Sequence, residues 1–310
     1  MTAVSRAPFA YRSSPTKRRR SRALIDTIKS AIVDLLEAEQ PMTVRQMFYR
    51  LVSAGAIGKT EAEYKQTVCR LLADMRRDNT IPYRWIADNT RWMRKPSSFD
   101  SAEDALRATA RLYRRNVWLD LPDYIEVWCE KDALAGVLYD VTAEYDVPLM
   151  VTRGYPSLSY LHEAAEVIAG QIVRRSKRVT VYYFGDRDPS GVDISRNVSE
   201  QLTWFALKIT GLPPETVGRF LAFDRIAVEP WQIAAYHLPT RPTKQTDSRA
   251  RNFAGESVEL DAIPPNDLRQ LVRSRIEDHL PEGALDAVRV AEESERAVLT
   301  RIAETMGRTS

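Results

Sequence analysis

The chain has few residues of the kinds that build disulfide frameworks or zinc sites. Its 310 residues include only two cysteines, Cys69 and Cys129, and three scattered histidines. Two cysteines form neither a zinc pattern nor a disulfide scaffold, so we expect free thiols in a reducing cytoplasm. No apolar run approaches the length of a membrane span, and no short apolar segment follows the basic N-terminus. We therefore expect neither a membrane anchor nor a signal peptide.

Charge is unevenly distributed along the chain. Residues 1–120 hold 23 basic and 13 acidic side chains, whereas residues 121–310 hold 22 basic and 29 acidic ones. The first segment thus has a net charge of +10 and the second a net charge of −7, which indicates that the first third of the chain binds nucleic acid. The alternative is that the basic residues form a solvated surface without a partner. Residues 1–22 contain no acid and predict a disordered basic arm, which either lies along a phosphate backbone or serves as a solubilising tail.

Residues 23–100 predict a winged helix-turn-helix domain. Helical apolar spacing covers 23–39 and 61–78, and Thr43 is a candidate N-cap for a helix that closes at Gly55. Alternating apolar and polar residues over 81–95 predict a short hairpin, which would be the wing. A small helical domain with an unrelated basic face is the alternative. The candidate DNA-contacting residues are Lys65, Arg70, Arg76, Arg77, Arg84 and Arg91.

Residues 101–120 predict a linking helix, and the pattern then changes to alternating strands and helices. We predict helices near 133–145, 158–173 and 194–210. Strand, helix, strand alternation is typical of a parallel sheet with helices on both faces, so the predicted fold class is α/β for residues 121–310, which include a C-terminal extension. The predicted strands are 124–129, 149–152, 179–184 and 221–228.

Acidic side chains follow two of the predicted strands. Glu130 comes directly after the first, and Asp186 and Asp188 follow the third in the segment GDRDPSG. Open parallel sheets present ligand groups at the carboxyl ends of their strands, and carboxylates there suit a hard cation such as Mg²⁺. The alternative is that these acids cap helices. Lys131, next to Glu130, is a candidate phosphate contact.

Tyr49 and Arg45 form a second pair of candidates, four residues apart on one face of the second predicted helix. A tyrosine hydroxyl can attack phosphorus while a guanidinium stabilises the developing charge. A tyrosine on an amphipathic helix is more commonly a core residue, so spacing alone leaves both interpretations open.

The segments VRQMFY, EKDA and DRDPSG, in this order, resemble the A subunit of type IIB topoisomerases and the related meiotic double-strand-break transesterases. The resemblance covers roughly residues 23–230. It implies a winged helix followed by a Toprim domain, with Tyr49 as the nucleophile that becomes linked to a 5′-phosphate and Arg45 as its electrostatic partner. It also implies that Glu130, Asp186 and Asp188 hold Mg²⁺.

The same resemblance implies double-stranded DNA as substrate and a homodimer in which tyrosine and metal come from different subunits. No ATP-binding motif of the P-loop or gyrase type is present, so an ATP-driven reaction would need a separate ATPase subunit. A location in the cytoplasm, associated with the nucleoid, follows from these expectations. Two alternatives stay open: a hydrolytic Toprim nuclease of a plasmid-defence type, and a non-catalytic DNA-binding protein.

Overall fold

A computed structural model describes residues 21–87, 98–242, 253 and 255–309. Nearly all of the predicted basic arm lies outside the described residues, and so do Arg91 and the second half of the predicted hairpin. Among the residues that are described, no helix is both long enough and apolar enough to cross a membrane.

Helices begin the described chain where the apolar spacing predicts them. The predicted cap of the second helix is confirmed: the Thr43 hydroxyl accepts a hydrogen bond from the Gln46 N–H, and the Gln46 side chain accepts one from the Thr43 N–H. The third helix is continuous but contains one π-helical turn, Tyr64–Val68. The helices are α1 (Arg22–Glu39), α2 (Val44–Ser53), α3 (Glu61–Glu63) and, after the π turn, α4 (Cys69–Arg77).

The segment that follows α4 does not begin with the predicted hairpin strand. Tyr83–Trp85 is a single 3₁₀ turn, and Ile86 makes an isolated parallel bridge with Met42. Ile81 and Ile86 are buried and Arg84 between them is exposed, so the alternation reflects a turn that covers the core. The winged helix therefore stays a prediction.

A four-stranded, all-parallel sheet forms the centre of the remaining chain, with the strand order β2-β1-β3-β4. The predicted α/β class is confirmed, and each strand lies within one residue of its predicted bounds. The strands are β1 (Asp123–Cys129), β2 (Leu149–Val151), β3 (Arg178–Phe184) and β4 (Leu221–Ala227).

Helices cover both faces of this sheet. Trp128 and Tyr183 pack with two long helices on one face, whereas Val127 and Phe184 belong to a cluster on the other. Burial on both faces explains why the strands are apolar runs rather than alternating patterns. The helices that connect and follow the strands are α6 (Ala135–Glu144), α7 (Leu158–Arg175), α8 (Pro189–Thr210), α9 (Pro214–Phe220) and α10 (Pro230–Ala235).

Two more helices, α11 (Pro265–Glu277) and α12 (Ala284–Thr309), complete the described chain. α11 packs against α6, and α12 packs along the predicted linking helix, α5 (Ala102–Leu112). The Tyr113 hydroxyl donates a 2.6 Å hydrogen bond to Glu295, which fastens the end of α5 to α12.

One hydrophobic cluster joins the N-terminal helices to the sheet. Ile32 of α1 and Leu51 of α2 belong to the same set of buried side chains as Val127 of β1 and Leu268 of α11. Because α2 shares this core, its position relative to the sheet is fixed by packing.

Candidate functional site

Glu130 and Asp186 lie side by side at the carboxyl ends of β1 and β3. The Glu130 N–H donates to the Phe184 oxygen (2.9 Å), and the Asp186 N–H donates to Oε2 of Glu130 (3.1 Å). Gly185 makes this approach feasible, because a Cβ there would lie 2.7 Å from Glu130 Oε2. The prediction that the ends of these two strands bring acids together is therefore confirmed for this pair.

Asp188 has two partners of its own. Its Oδ1 accepts a 2.8 Å hydrogen bond from the Gly191 N–H as the N-cap of α8, and its Oδ2 lies 3.4 Å from Arg241 Nη2. This cap is the reason that α8 begins at Pro189, five residues before the predicted start. The alternative prediction, that these acids cap helices, is therefore confirmed for Asp188, whose Oδ1 is the capping atom.

Lys131 lies inside the acidic cluster rather than on an open surface. Its ammonium is 2.7 Å from Asp261 Oδ2, 3.0 Å from Asp186 Oδ1 and 3.4 Å from Glu259 Oε2. Burial disfavours the charged ammonium, but Asp261, Asp186 and Glu259 outweigh that effect and hold the Lys131 pKa above its ordinary value. Three carboxylates thus share its charge, so the predicted phosphate contact would have to compete with them.

Glu259 and Asp261 belong to a short segment that the sequence analysis did not assign to the site. Val258 exchanges two backbone hydrogen bonds with Arg187 (2.8 and 2.9 Å), and the Leu260 N–H donates to Asp186 Oδ1 (2.8 Å). These bonds hold the segment against the turn that carries the aspartates. Glu259 and Asp261 are separated by one residue, as Asp186 and Asp188 are. This repeated spacing is the signal by which the sequence could have indicated that the segment belongs to the site.

Tyr49 and Arg45 face this same segment from α2. Arg45 donates two hydrogen bonds to the Glu259 carboxylate, Nε to Oε2 (3.1 Å) and Nη2 to Oε1 (3.0 Å). The Arg45 guanidinium lies over the Tyr49 ring, with its Cζ 5.7 Å from the ring centroid, and the tyrosine is only 2% exposed. Burial, followed by the charge of Glu259, raises the Tyr49 pKa, while the positive charge of Arg45 opposes the rise.

The two glutamates of the cluster have opposite electrostatic surroundings. Burial and then the charge of Asp186 raise the pKa of Glu130 to about 7. Burial also opposes the charge of Glu259, but the hydrogen bonds of Arg45 and the charges of Lys131 and Arg45 prevail and lower its pKa to about 2. Of these two glutamates, Glu259 therefore has the more positively charged surroundings.

The oxygen donors at the ends of β1 and β3 fit a hard divalent cation in their chemistry. A cation next to Glu130 and Asp186 would relieve the repulsion that helps to raise the Glu130 pKa. Within the described parts of the chain, no three carboxylate, histidine or cysteine side chains are arranged around one point as metal ligands are. Lys131 and Arg241 supply the neighbouring positive charge instead.

The predicted DNA-contacting residues lie on the third helix and the turn after it. Arg76 is half-buried, and its Nε donates to the Leu72 oxygen (3.0 Å). Lys65 and Arg77 are exposed and have only weak local partners, Glu61 at 3.3 Å and Asp74 at 3.7 Å. Arg70 and Arg84 are exposed as well, so a basic surface is present and its contact with DNA stays a prediction.

A half-buried arginine on β4 is another residue that sequence reasoning missed. Arg225 donates to the main-chain oxygens of Gly185 (3.0 Å) and Asp186 (2.6 Å) from beneath the turn. Nothing in the local sequence of β4 signals this contact, because it depends on the pairing of β4 with β3.

Comparison of the chain with protein-family models gives no match, and none of the curated proteins matches it.

Proposed function

We propose that this protein is a Mg²⁺-dependent transesterase that cleaves double-stranded DNA. The observation that carries the proposal is the connection between the two predicted sets of residues. Arg45, which shares α2 with Tyr49, donates two hydrogen bonds to the Glu259 carboxylate, and that carboxylate lies 3.4 Å from the Lys131 ammonium next to Asp186. A nucleophile and a cation-binding cluster that are brought together from distant parts of the chain suit phosphoryl transfer.

In the proposed reaction the Tyr49 oxygen attacks a phosphorus of the DNA backbone. The new bond joins the Tyr49 oxygen to phosphorus, and the bond from phosphorus to the 3′ oxygen breaks. The phenol loses its proton to solvent, and the departing 3′ oxygen gains one, which leaves a free 3′ hydroxyl and a 5′-phosphotyrosyl link. Arg45 stabilises the negative charge that develops on the phosphoryl oxygens.

Glu130, Asp186 and Asp188 would hold Mg²⁺, which supplies charge stabilisation for the attacking and leaving oxygens when bound. A cation there would stabilise the charged form of Glu130, because burial and the charge of Asp186 raise the pKa of Glu130 to about 7. Asp188 would offer Oδ2, since its Oδ1 caps α8.

The partners in this proposal are those that the sequence predicts. Double-stranded DNA would contact the exposed basic residues of α4 and the turn after it. A homodimer would make two cuts on opposite strands, and a separate ATPase subunit would be needed for any ATP-driven strand passage. The protein would work on the nucleoid.

A hydrolytic nuclease is the second candidate, and the burial of Tyr49 favours it. A phenol that is only 2% exposed is also what a structural tyrosine would show. In that reaction water attacks phosphorus, and the products are free DNA ends without bound protein.

The test is a trapping experiment on plasmid DNA with Mg²⁺, stopped with a strong detergent. The transesterase predicts protein covalently attached to 5′ ends; the nuclease predicts cut DNA with free ends; a purely DNA-binding protein leaves the DNA intact. Tyr49→Phe should abolish the covalent product, and so should Asp186→Asn. Tyr64→Phe is the matched control, because the Tyr64 ring also lies against Arg45, 4.7 Å from its Cζ, and should retain the product.

A further inference from the structure

Exposed aromatic side chains follow the two outer strands of the sheet. Tyr155 comes four residues after β2 and is 46% exposed, and Trp231 comes four residues after β4 and is 56% exposed. Because the strand order is β2-β1-β3-β4, Glu130 and Asp186 follow the two inner strands. The carboxyl ends of parallel strands meet at one edge of a sheet, so this edge carries acids in its middle and an aromatic residue on each side.

The spacing of the strands suits a nucleic acid that lies along this edge. Three strand spacings separate β2 from β4, a distance of about 14 Å. Duplex DNA advances by about 3.4 Å per base pair, so about four base pairs fit between the two outer strands. A phosphate held at the acids would therefore have bases within reach of both aromatic residues.

Backbone hydrogen bonds fix the start of α10 next to the aspartates. The Gly185 N–H donates to the Ala227 oxygen, and the Val228 N–H donates to the Gly185 oxygen, both at 2.8 Å. Gly185 directly precedes Asp186. Trp231 is three residues beyond Val228, so their Cα atoms are at most about 11 Å apart. The chain therefore presents this indole close to the turn that carries the aspartates.

Side-chain contacts brace the helix that carries Trp231. Glu229 and Gln232 form a capping box at the start of α10, and Glu229 Oε1 lies 3.3 Å from Nε of Arg225, the arginine that holds the aspartate turn. The Trp231 ring packs against the Tyr236 ring, with centroids 6.0 Å apart. An exposed ring on a braced helix loses little conformational freedom when a ligand covers it.

Tyr155 is tied to the same turn from the other side. Its hydroxyl donates a hydrogen bond to Asp193 Oδ2. Asp193 lies on α8, five residues after Asp188, which caps that helix. This bond fixes the tyrosine ring beside the helix whose N-cap is a candidate metal ligand.

We propose that Trp231 and Tyr155 bind the DNA substrate by stacking on bases on the two sides of the cleaved phosphate, so that the protein selects duplexes in which such a base is unpaired or easily unstacked. Aromatic rings stack on every kind of base, but in a regular duplex the neighbouring bases already cover those faces. This inference rests on the proposed function. It holds whichever subunit supplies Tyr49, because both aromatic residues follow strands of the sheet that carries the acids.

The first test measures binding in EDTA, so that no DNA is cleaved. Short duplexes carry the fluorescent base 2-aminopurine either fully paired or in a single mismatch. We expect the parent protein to bind the mismatched duplex about 10-fold more tightly and to quench its fluorescence, since each stacked base adds substantial affinity. Equal affinity of the parent protein for the two duplexes would overturn the inference.

Trp231→Ala should lose about 10-fold in affinity for the mismatched duplex, together with most of the quenching. Its affinity for the paired duplex should change by less than about 3-fold. Trp231→Phe should retain the preference, because it keeps an aromatic face, whereas Trp231→Leu keeps apolar volume only and should lose it. Tyr155→Ala should lose affinity in the same way. Parent-like binding by Trp231→Ala or by Tyr155→Ala would refute the role of that residue.

Trp204→Ala is the matched control for Trp231. Trp204 is 50% exposed, but it lies on α8 sixteen residues beyond Asp188, about 24 Å along the helix from the aspartate turn. Tyr139→Ala is the control for Tyr155, because Tyr139 is 60% exposed on α6. Both controls should bind like the parent. Equal losses in Trp204→Ala and Trp231→Ala would overturn the inference, and melting temperatures show whether each variant is folded.

Two further measurements separate this inference from the proposed function. Quenching that depends on Trp231, in a protein that forms no covalent adduct with Mg²⁺, would contradict the transesterase and leave the stacking residues in place. Adducts without any effect of Trp231 on binding would contradict the stacking alone. If Trp231→Ala loses self-association in sedimentation experiments but binds both duplexes like the parent, the indole covers a second copy of the chain and the inference is wrong.

Discussion

The guanidinium of Arg225 donates a 2.6 Å hydrogen bond to the main-chain oxygen of Asp186. The same side chain donates to the oxygens of Gly185 and Gly191 and to the Ser195 hydroxyl. One arginine on β4 thus holds both the turn with the candidate metal-binding aspartates and the first residues of α8. Its burial lowers its pKa, and the charge of Glu229, whose Oε1 lies 3.3 Å from Arg225 Nε, opposes that effect.

Arg225→Lys should loosen this turn. A lysine keeps the charge but cannot donate to all of these acceptors in a fixed fork, so oxygens would be left without a partner. We expect the free energy of unfolding to fall by about 2–4 kcal/mol, as measured by urea denaturation, and the apparent Mg²⁺ affinity to fall with it. Arg219→Lys, at an exposed position on α9, is the control and should unfold like the parent.

Gly185→Ala should displace the Glu130 carboxylate. The added methyl group would lie 2.6 Å from a ring carbon of Tyr183 and 2.7 Å from Glu130 Oε2, and neither distance is tolerated. We expect a loss of about 1–3 kcal/mol in stability and a loss of DNA cleavage.

Gly218→Ala provides the comparison for this glycine. Its Cβ would meet no atom within 4 Å on α9, so this change should be neutral or should stabilise the protein by up to about 1 kcal/mol. Equal melting temperatures for the two variants would show that Gly185 is not required for close packing.

Glu126→Gln should stabilise the protein more as the pH rises. Glu126 is buried on β1, where it accepts hydrogen bonds from Trp128 Nε1 (2.8 Å) and the Tyr124 hydroxyl (3.0 Å), and burial raises its pKa. An acid whose pKa is higher in the folded state stabilises the fold fully only below its unfolded pKa, and that stability is lost as the pH rises toward the folded pKa.

The neutral glutamine does not carry this penalty. The difference in melting temperature between Glu126→Gln and the parent should therefore grow from pH 4 to pH 8, in a thermal unfolding series at constant salt. A difference that stays constant over this range would mean that Glu126 is ionised in the fold throughout.

Charge reversal at Arg70 and Arg77 should weaken DNA binding in a salt-dependent way. Both side chains are exposed on α4, and each lost phosphate contact reduces the slope of log affinity against log salt by about one. The doubly reversed variant should lose affinity for all duplex sequences alike, as measured by titration at several salt concentrations. If the slope of log affinity against log salt is unchanged and equals that of the Arg219→Glu control, DNA does not bind at the surface formed by Arg70 and Arg77.

The parallel sheet could be predicted because its signals are local. β3 is a run of β-branched and aromatic residues that stops at Gly185, and Thr43, directly before α2, could be recognised as its cap. Acids at the ends of β1 and β3 followed from the rule that parallel strands end at one edge of a sheet.

The remainder of the candidate site could not be predicted because it depends on contacts between distant parts of the chain. Arg45 and Glu259 are 214 residues apart, and no local period connects them. The alternation over residues 81–87 was also misleading, because Ile81 and Ile86 are buried through a 3₁₀ turn and not through a strand. The local pattern of apolar residues indicates which side chains are buried, but it does not identify the distant helix or strand that packs against them.

β1 and β3 pair in continuous register from Asp123 with Arg178 to Cys129 with Phe184. The separation of Glu130 and Asp186 is therefore set by a backbone ladder, independently of the length of chain that connects the two strands. Insertions or deletions among the connecting helices can accumulate without moving these carboxylates apart. A single-residue deletion inside either strand would have the opposite effect, because it turns every following side chain to the other face of the sheet. The site is thus robust to changes in loop length and sensitive to changes in strand length.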